Sequence, residues 1–341
     1  MQSTQVVGTR QCPRPPEDAP VPIDRQSPVT RGSVSAIRSM ASLLTRQERR
    51  QLRIGVTFAL PWILGFCGFT VFPVIASFYY SLHVYTRFGQ PMTWVGLANF
   101  RELLFEDPLF WISLYNTIYM VAIGIPFHVL LALALALILN LNLKGVSVYR
   151  TVFYLPTIVP VVATSVLWLW VFNPEYGMIN ALLDLFGVHG PGWLAVPELA
   201  KPSLIIMGVW TIGGTLVIFL AGLQDIPVQL YEAAMIDGAG PLNRVRHVTL
   251  PMLSPVIFFN FIIGLINGFQ VFTQAFIMTR GGPLDATRFY ALYLYENAFE
   301  HFKMPYASAM AWILFLVVMA ATLLVFKSSA RFVYYEGEDQ K

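Results

Sequence analysis

The residues with the most directed chemistry lie in one polar stretch, Glu232 to Pro251, which reads EAAMIDGAGPLNRVRHVTLP. Asp225 is suited to cap a helix with Pro227 in its first turn. The run Val228 to Asp237 is made of helix formers, and Gly238 is suited to a left-handed stop. Gly240 and Pro241 then begin a second short helix, expected to stop at Pro251 before the next apolar run. Small Ala233 and Ala234 let another surface approach closely, while Glu232, Arg244 and Arg246 supply charges for a rim. That is the physics of a docking peg; a helix lying on lipid headgroups and an internal brace are the competing readings.

A second set of polar groups is spaced along apolar runs. Asn260, Asn267 and Gln274 recur at intervals of seven with Gln270 between them, so they share roughly one helical face, with Gly268 beside them. Trp210, Thr211 and Gly214 share another. Amides, hydroxyls and an aromatic face are what a sugar requires, although polar residues in membrane helices also serve as interhelical glue. Asn116 and His128 are further polar groups inside an apolar run, and a lone His there commonly has a structural hydrogen bond. Gly281, Gly282 and Pro283 mark a turn on the opposite side from the docking loop.

Enzyme chemistry finds no footing. There is no HExxH or GxSxG, and none of the five Lys follows a Gly, so a GxxxxGK[ST] phosphate cradle is absent. Cys12 and Cys67 offer neither metal-ligand spacing nor a plausible mutual disulfide.

The elements that must position these groups are membrane helices. Hydrophobic residues make up 56% of the 341 and charged residues 12%, and mean hydropathy is +0.60, far from soluble averages. Spanning a bilayer takes about 20 apolar residues as helix. Six stretches qualify: Ile54 to Leu82, Ile112 to Leu139, Tyr149 to Phe172, Leu204 to Leu223, Ser254 to Met278 and Tyr306 to Phe326. Residues 224–253 form the docking loop. Pro61, Pro73, Pro126, Pro156 and Pro160 fall inside the spans, as in helices that move and in ordinary membrane helices alike.

Residues 1–53 hold nine Arg and no apolar core, and read as a disordered basic arm; Met40 is an alternative start. With both termini inside, 16 Lys and Arg are cytoplasmic against six outside, an excess carried mainly by the arm. Residues 327–341 form a cytoplasmic tail.

Glu232-Ala233-Ala234, then Gly238, then Val248-Thr249-Leu250-Pro251 resembles the signature of permease subunits of ATP-binding-cassette importers, with Val248 in place of the family's Ile. The likeness extends from Ile54 to Phe326 through WVGLANFRELL at Trp94 to Leu104, the run Arg150 to Asn180, LQDIPVQLYEAA at Leu223 to Ala234, and TRGGPLDAT at Thr279 to Thr287. It is strongest to the carbohydrate branch, of the maltose and glycerol-phosphate type and the longer-subunit kind.

The resemblance implies an all-α polytopic membrane protein with the type I importer fold, six transmembrane helices and a cytoplasmic coupling helix. Glu232, Ala233, Ala234, Asp237, Gly238, Arg244, Leu250 and Pro251 would couple to an ATPase, and Trp210 with its neighbours would lie where this branch contacts sugar. Implied partners are a second permease, two ATPase copies carrying the ATP and Mg, an extracytoplasmic solute-binding protein, a carbohydrate substrate and prokaryotic plasma-membrane lipid. This chain itself would bind no cofactor, no metal and no nucleic acid. An ion-coupled secondary transporter is the rival class; it would want ionisable residues within the spans, whereas Asp, Glu, Lys and Arg here are assigned to loops.

Overall fold

The computed structural model describes residues 46–85, 91–141 and 144–329. The expected arm over residues 1–45, the start at Met40 and tail residues 330–341 lie outside the described residues. Residues 46–53, assigned to the arm, are instead helical, within Arg46–Phe66.

The chain divides into two compact units, Met1–Cys67 and Gly68–Lys341. The described part of the first is mainly the helix Arg46–Phe66, whose Trp62 and Phe66 rings stack at 5.3 Å and whose apolar side chains are exposed. The second unit holds the remaining helices and a two-residue antiparallel ribbon pairing His83 with Trp94 and Val84 with Thr93.

Helix dominates because lipid leaves backbone groups no other partner. Four helical runs are long and apolar enough to cross a membrane: Arg50–Ser81, Pro108–Leu139, Pro241–Gly268 and Met304–Ser329. Two further crossings are bent pairs, Val146–Ile158 with Val161–Val171 at 103° and Pro197–Val209 with Gly213–Gln224 at 50°. The all-α membrane architecture is present, with up to six crossings. Six crossings match the expected number, with the third and fourth each bent into two helices.

Prolines mark the break in the third crossing but not the one in the fourth, which falls at residues 210–212 without a proline. Pro126 and Pro251 each follow a π turn, Met120–Gly124 and Val245–Thr249. The widened turn changes the hydrogen-bond register just where proline lacks its N–H and crowds the preceding carbonyl, so the helix continues. At Pro160 there is no such device. Val159 before it is extended (φ −70°, ψ 128°), as proline imposes on its predecessor, and Pro160 itself is extended (φ −56°, ψ 139°). The third crossing therefore turns through a right angle.

The same logic corrects the fifth span. It begins at Pro241 rather than Ser254, since the helix runs through Pro251, and it ends at Gly268 rather than Met278. Past Phe269–Phe272 a separate short helix, Thr273–Met278, carries Gln274.

One part of the core joins three crossings: Leu139 of the second, Leu216, Phe219 and Leu223 of the fourth, and Leu253 of the fifth, with Tyr231, Val248 and Leu250 packed on it. A second part gathers Phe172, Leu204, Met207, Ala275 and Phe289. Close approach depends on small residues. A Cβ at Gly222 would fall 2.9 Å from Leu253 Cδ1, and one at Gly268 would fall 3.1 Å from Val121 Cγ2. In lipid, such van der Waals contact is a main force between helices.

Candidate docking helix and solute cavity

The docking segment is a helix, Val228–Ile236, containing no buried residue. Its N-cap is Pro227, with no side-chain cap; Asp225 instead closes the preceding helix Gly213–Gln224, which corrects the expected Asp225 cap. Its end follows the Schellman pattern. Ala239 N donates to Ala234 O at 2.9 Å and Gly238 N to Met235 O at 3.0 Å. Gly238 has φ +75°, a conformation costing any side chain about 1 kcal/mol or more.

Glu232, Ala233 and Asp237 are exposed and Ala234 is half-buried. Around them lie apolar side chains in solvent, Ile236 at 87% and Leu242 at 80% exposure. An apolar surface rimmed by charge is the signature of an interaction site. The second helix does not stop at Pro251, as expected, but continues into the fifth crossing. Leu250 and Pro251 are consequently membrane-helix residues at its base, and Leu250 packs into the core. Arg244, expected on the rim, is half-buried, with Nε lacking a hydrogen-bond partner; Arg246 is exposed.

A cavity of about 310 Å³ lies where three broken helices meet. Thr157, Val159 and Val161 come from the bend of the third crossing and Thr164 from the helix after it. Leu204, Met207, Gly208 and Thr211 come from the break in the fourth, and Gln274 from the short helix beyond the fifth. No lining residue is charged. Thr164 Oγ1 is buried without a hydrogen-bond partner, and so is Trp168 Nε1 one turn along the same face. Trp168 meets Trp210 edge to face, with ring centroids 6.3 Å apart.

Of the expected pathway residues, Thr211 and Gln274 line this cavity, and Trp210 does not line it but meets Trp168. Asn267 and Gln270 are exposed near the end of the fifth helix. The expected continuous face through Asn260, Asn267 and Gln274 is broken by the Phe269–Phe272 interruption. Asn260 is buried and donates to Val256 O at 2.9 Å. Gly268 faces Val121 and Ile125, which makes it a packing residue rather than a lining one. Trp210, Thr211 and Gly214 do not share a helical face, because the helix stops at Val209 and restarts at Gly213. Thr157, Thr164 and Trp168 were missed by sequence reading, although two prolines within five residues, Pro156 and Pro160, signalled the bend beside them.

His128 Nε2 lies 2.8 Å from Ile205 O, a structural hydrogen bond. Asn116 is structural too. Its Nδ2 donates to Asp285 O at 2.7 Å and to Arg288 O at 3.2 Å, and its Oδ1 accepts from Lys201 Nζ at 2.9 Å. Lys201, assigned to a loop by sequence, sits within the helix Pro197–Val209.

The turn at Gly281, Gly282 and Pro283 is the one Asn116 holds. Gly281 has φ +85°, the Gly282–Pro283 bond is cis, and Thr287 Oγ1 donates to Gly282 O at 2.6 Å. Arg288 bonds Asp285 at 2.8 Å and Glu296 at 2.6 Å. Burial raises the Glu296 carboxyl above its usual range, opposed by the Arg288 charge.

Known proteins share this arrangement. Residues 124–333 match the family described as binding-protein-dependent transport system inner membrane component. The chain is 42% identical over 300 residues to the probable ABC transporter permease protein YesP of Bacillus subtilis (strain 168), covering 87% of this chain and 96% of that protein. It is 33% identical over 287 residues to the trehalose/maltose transport system permease protein MalF of Thermococcus litoralis, covering 84% and 97%. In fold it resembles a chain of a bacterial alginate ABC transporter solved with an alginate pentasaccharide-bound periplasmic protein. That match has a TM-score of 0.74 at 23% identity, covering 84% of this chain and 96% of that one. With the family's region spanning the bent crossings, the cavity and the docking helix alike, this chain belongs to the binding-protein-dependent transport system inner membrane components, the permease subunits of ABC importers.

Proposed function

We propose that this permease imports a neutral sugar, using ATP hydrolysed by separate subunits that dock on the Val228–Ile236 helix. The observation that carries the reading is the pairing of that exposed, apolar-tipped helix with an uncharged cavity holding an unpartnered hydroxyl. A buried donor without a partner costs about 1–3 kcal/mol. A polyhydroxylated solute passing the cavity offsets that cost at Thr164, and the Trp168–Trp210 pair supplies aromatic surface for its C–H faces. An anionic solute would find no cation among the lining residues.

A second permease completes the pathway, two ATPase copies close beneath the pair, and an external binding protein delivers solute near the Gly281–Pro283 turn. Closure of the ATPases draws the docking helices together and switches the pathway between two rigid-body states. Both termini lie on the ATPase side. Support for sugar comes from the uncharged lining and from relatives named for trehalose/maltose and lactose transport.

The test is reconstitution in proteoliposomes with the binding protein and ATPase, using radiolabelled maltose, lactose and glycerol 3-phosphate as probes. ATP-dependent uptake of a neutral sugar in preference to glycerol 3-phosphate supports the reading. Uptake that follows a proton gradient and ignores ATP overturns it.

A further inference from the structure

The docking helix is held by very little. Of its nine residues only Tyr231 and Ala234 are half-buried, the rest being exposed, and the two lie one turn apart. At each end the chain passes through an extended residue, Pro227 (ψ 129°) before it and Gly240 (ψ 169°) after it. Backbone alone would let this helix pivot about both ends. Any push delivered to it must be resisted by a side chain.

Tyr231 is that side chain. Its ring packs on the core cluster shared by the second, fourth and fifth crossings, and its Oη lies 2.9 Å from Thr249 Oγ1. Thr249 is buried, in the π turn Val245–Thr249 that opens into the fifth membrane helix. Its hydroxyl also lies 3.4 Å from Arg244 O. Either hydroxyl can supply the proton of the shorter Tyr231–Thr249 bond. This side-chain hydrogen bond joins the docking helix directly to the fifth helix.

We infer that the Tyr231–Thr249 hydroxyl pair makes the docking helix and the fifth membrane helix move as one body, so that displacement by an ATPase reaches the pathway. The inference rests on the docking role proposed above. Tyr231 and Thr249 are positioning residues; neither is proposed to touch solute or ATP.

The test uses the assembled importer, with spin labels at Gln229 on the docking helix and at Ile263 on the exposed side of the fifth helix. Without nucleotide, the label separation is expected to be the same in the wild type, Tyr231→Phe and Thr249→Val. When a non-hydrolysable ATP analogue closes the ATPases, the wild-type separation stays constant, while both variants shift and Thr249→Ser restores constancy. The double variant should shift no further than either single one, because both remove the same bond. A constant separation in both variants overturns the link, as does a wild type that itself shifts. If Thr249→Val fails to assemble, Tyr231→Phe and Thr249→Ser still decide. Co-purification of the ATPase with Glu232→Lys tests the docking role separately: undiminished association there counts against docking, whatever the labels report.

Discussion

Lys201 Nζ donates to Asn116 Oδ1 at 2.9 Å, tying the first helix of the broken fourth crossing to the second crossing. The same amide turns its Nδ2 toward the carbonyls of Asp285 and Arg288, so one side chain clamps two helical crossings and the 279–288 turn together. Lys201 Nζ also lies 4.8 Å from the centre of the Tyr119 ring and 5.1 Å from that of Tyr115. The cation is thereby held by an amide and two aromatic faces instead of a carboxylate.

Replacing that amide by its acid separates the two halves of the clamp. Asn116→Asp should keep the bond to Lys201 but set a carboxylate against two carbonyls, losing about 1–3 kcal/mol. Hydrogen exchange should then quicken in residues 279–288 ahead of the rest of the protein. Uniform exchange would show that the turn stands without Asn116.

Thr164→Val should divide stability from transport. Removing a buried hydroxyl that has no partner leaves melting temperature equal or higher. Apparent affinity for the transported sugar should fall about tenfold, the equivalent of about 1.4 kcal/mol for one hydrogen bond to solute. Unchanged uptake kinetics would remove Thr164 from the pathway.

At the docking helix, Gly238→Pro strikes the helix end directly. Proline cannot adopt φ +75° and cannot donate to Met235 O, so the stop is lost. The expected result is an importer whose ATP hydrolysis no longer responds to loaded binding protein. Glu232→Lys should produce the same uncoupling by reversing charge on the exposed face. Normal stimulation in both variants would count heavily against docking there.

The Arg288–Glu296 pair carries a pH dependence. With the folded carboxyl raised by burial, its cost to the fold appears as pH rises through the folded pKa and is absent below the unfolded value of 4.5. Arg288→Met removes the compensating charge and should lose about 3 kcal/mol near neutral pH, since a buried carboxylate is left alone. Thermal unfolding of the variant should recover toward wild type in acid or on adding Glu296→Gln. A deficit independent of pH would assign the loss to packing.

Much of this protein is legible without its structure because lipid permits few solutions. Apolar runs of about 20 residues must be helices, and Gly238, four residues past Ala234, announces a left-handed helix stop. The 232–251 spacing points to the family to which the chain belongs. What the linear pattern could not decide is where an apolar run bends. Pro126 and Pro251 are absorbed by π turns while Pro160 turns the chain through a right angle, and nothing local to each proline distinguishes them; neighbouring helices decide which carbonyls find partners. The seven-residue period of Asn260, Asn267 and Gln274 presupposed one unbroken helix, and the break after Gly268 dissolves it. The cavity exists only because three such breaks meet in space, so its Thr157, Thr164, Thr211 and Gln274 come from the third crossing, the fourth, and the short helix past the fifth. Helix formation is a local response to solvent and could be read from composition; the site depends on how separate helices pack, and only the tertiary structure specifies that.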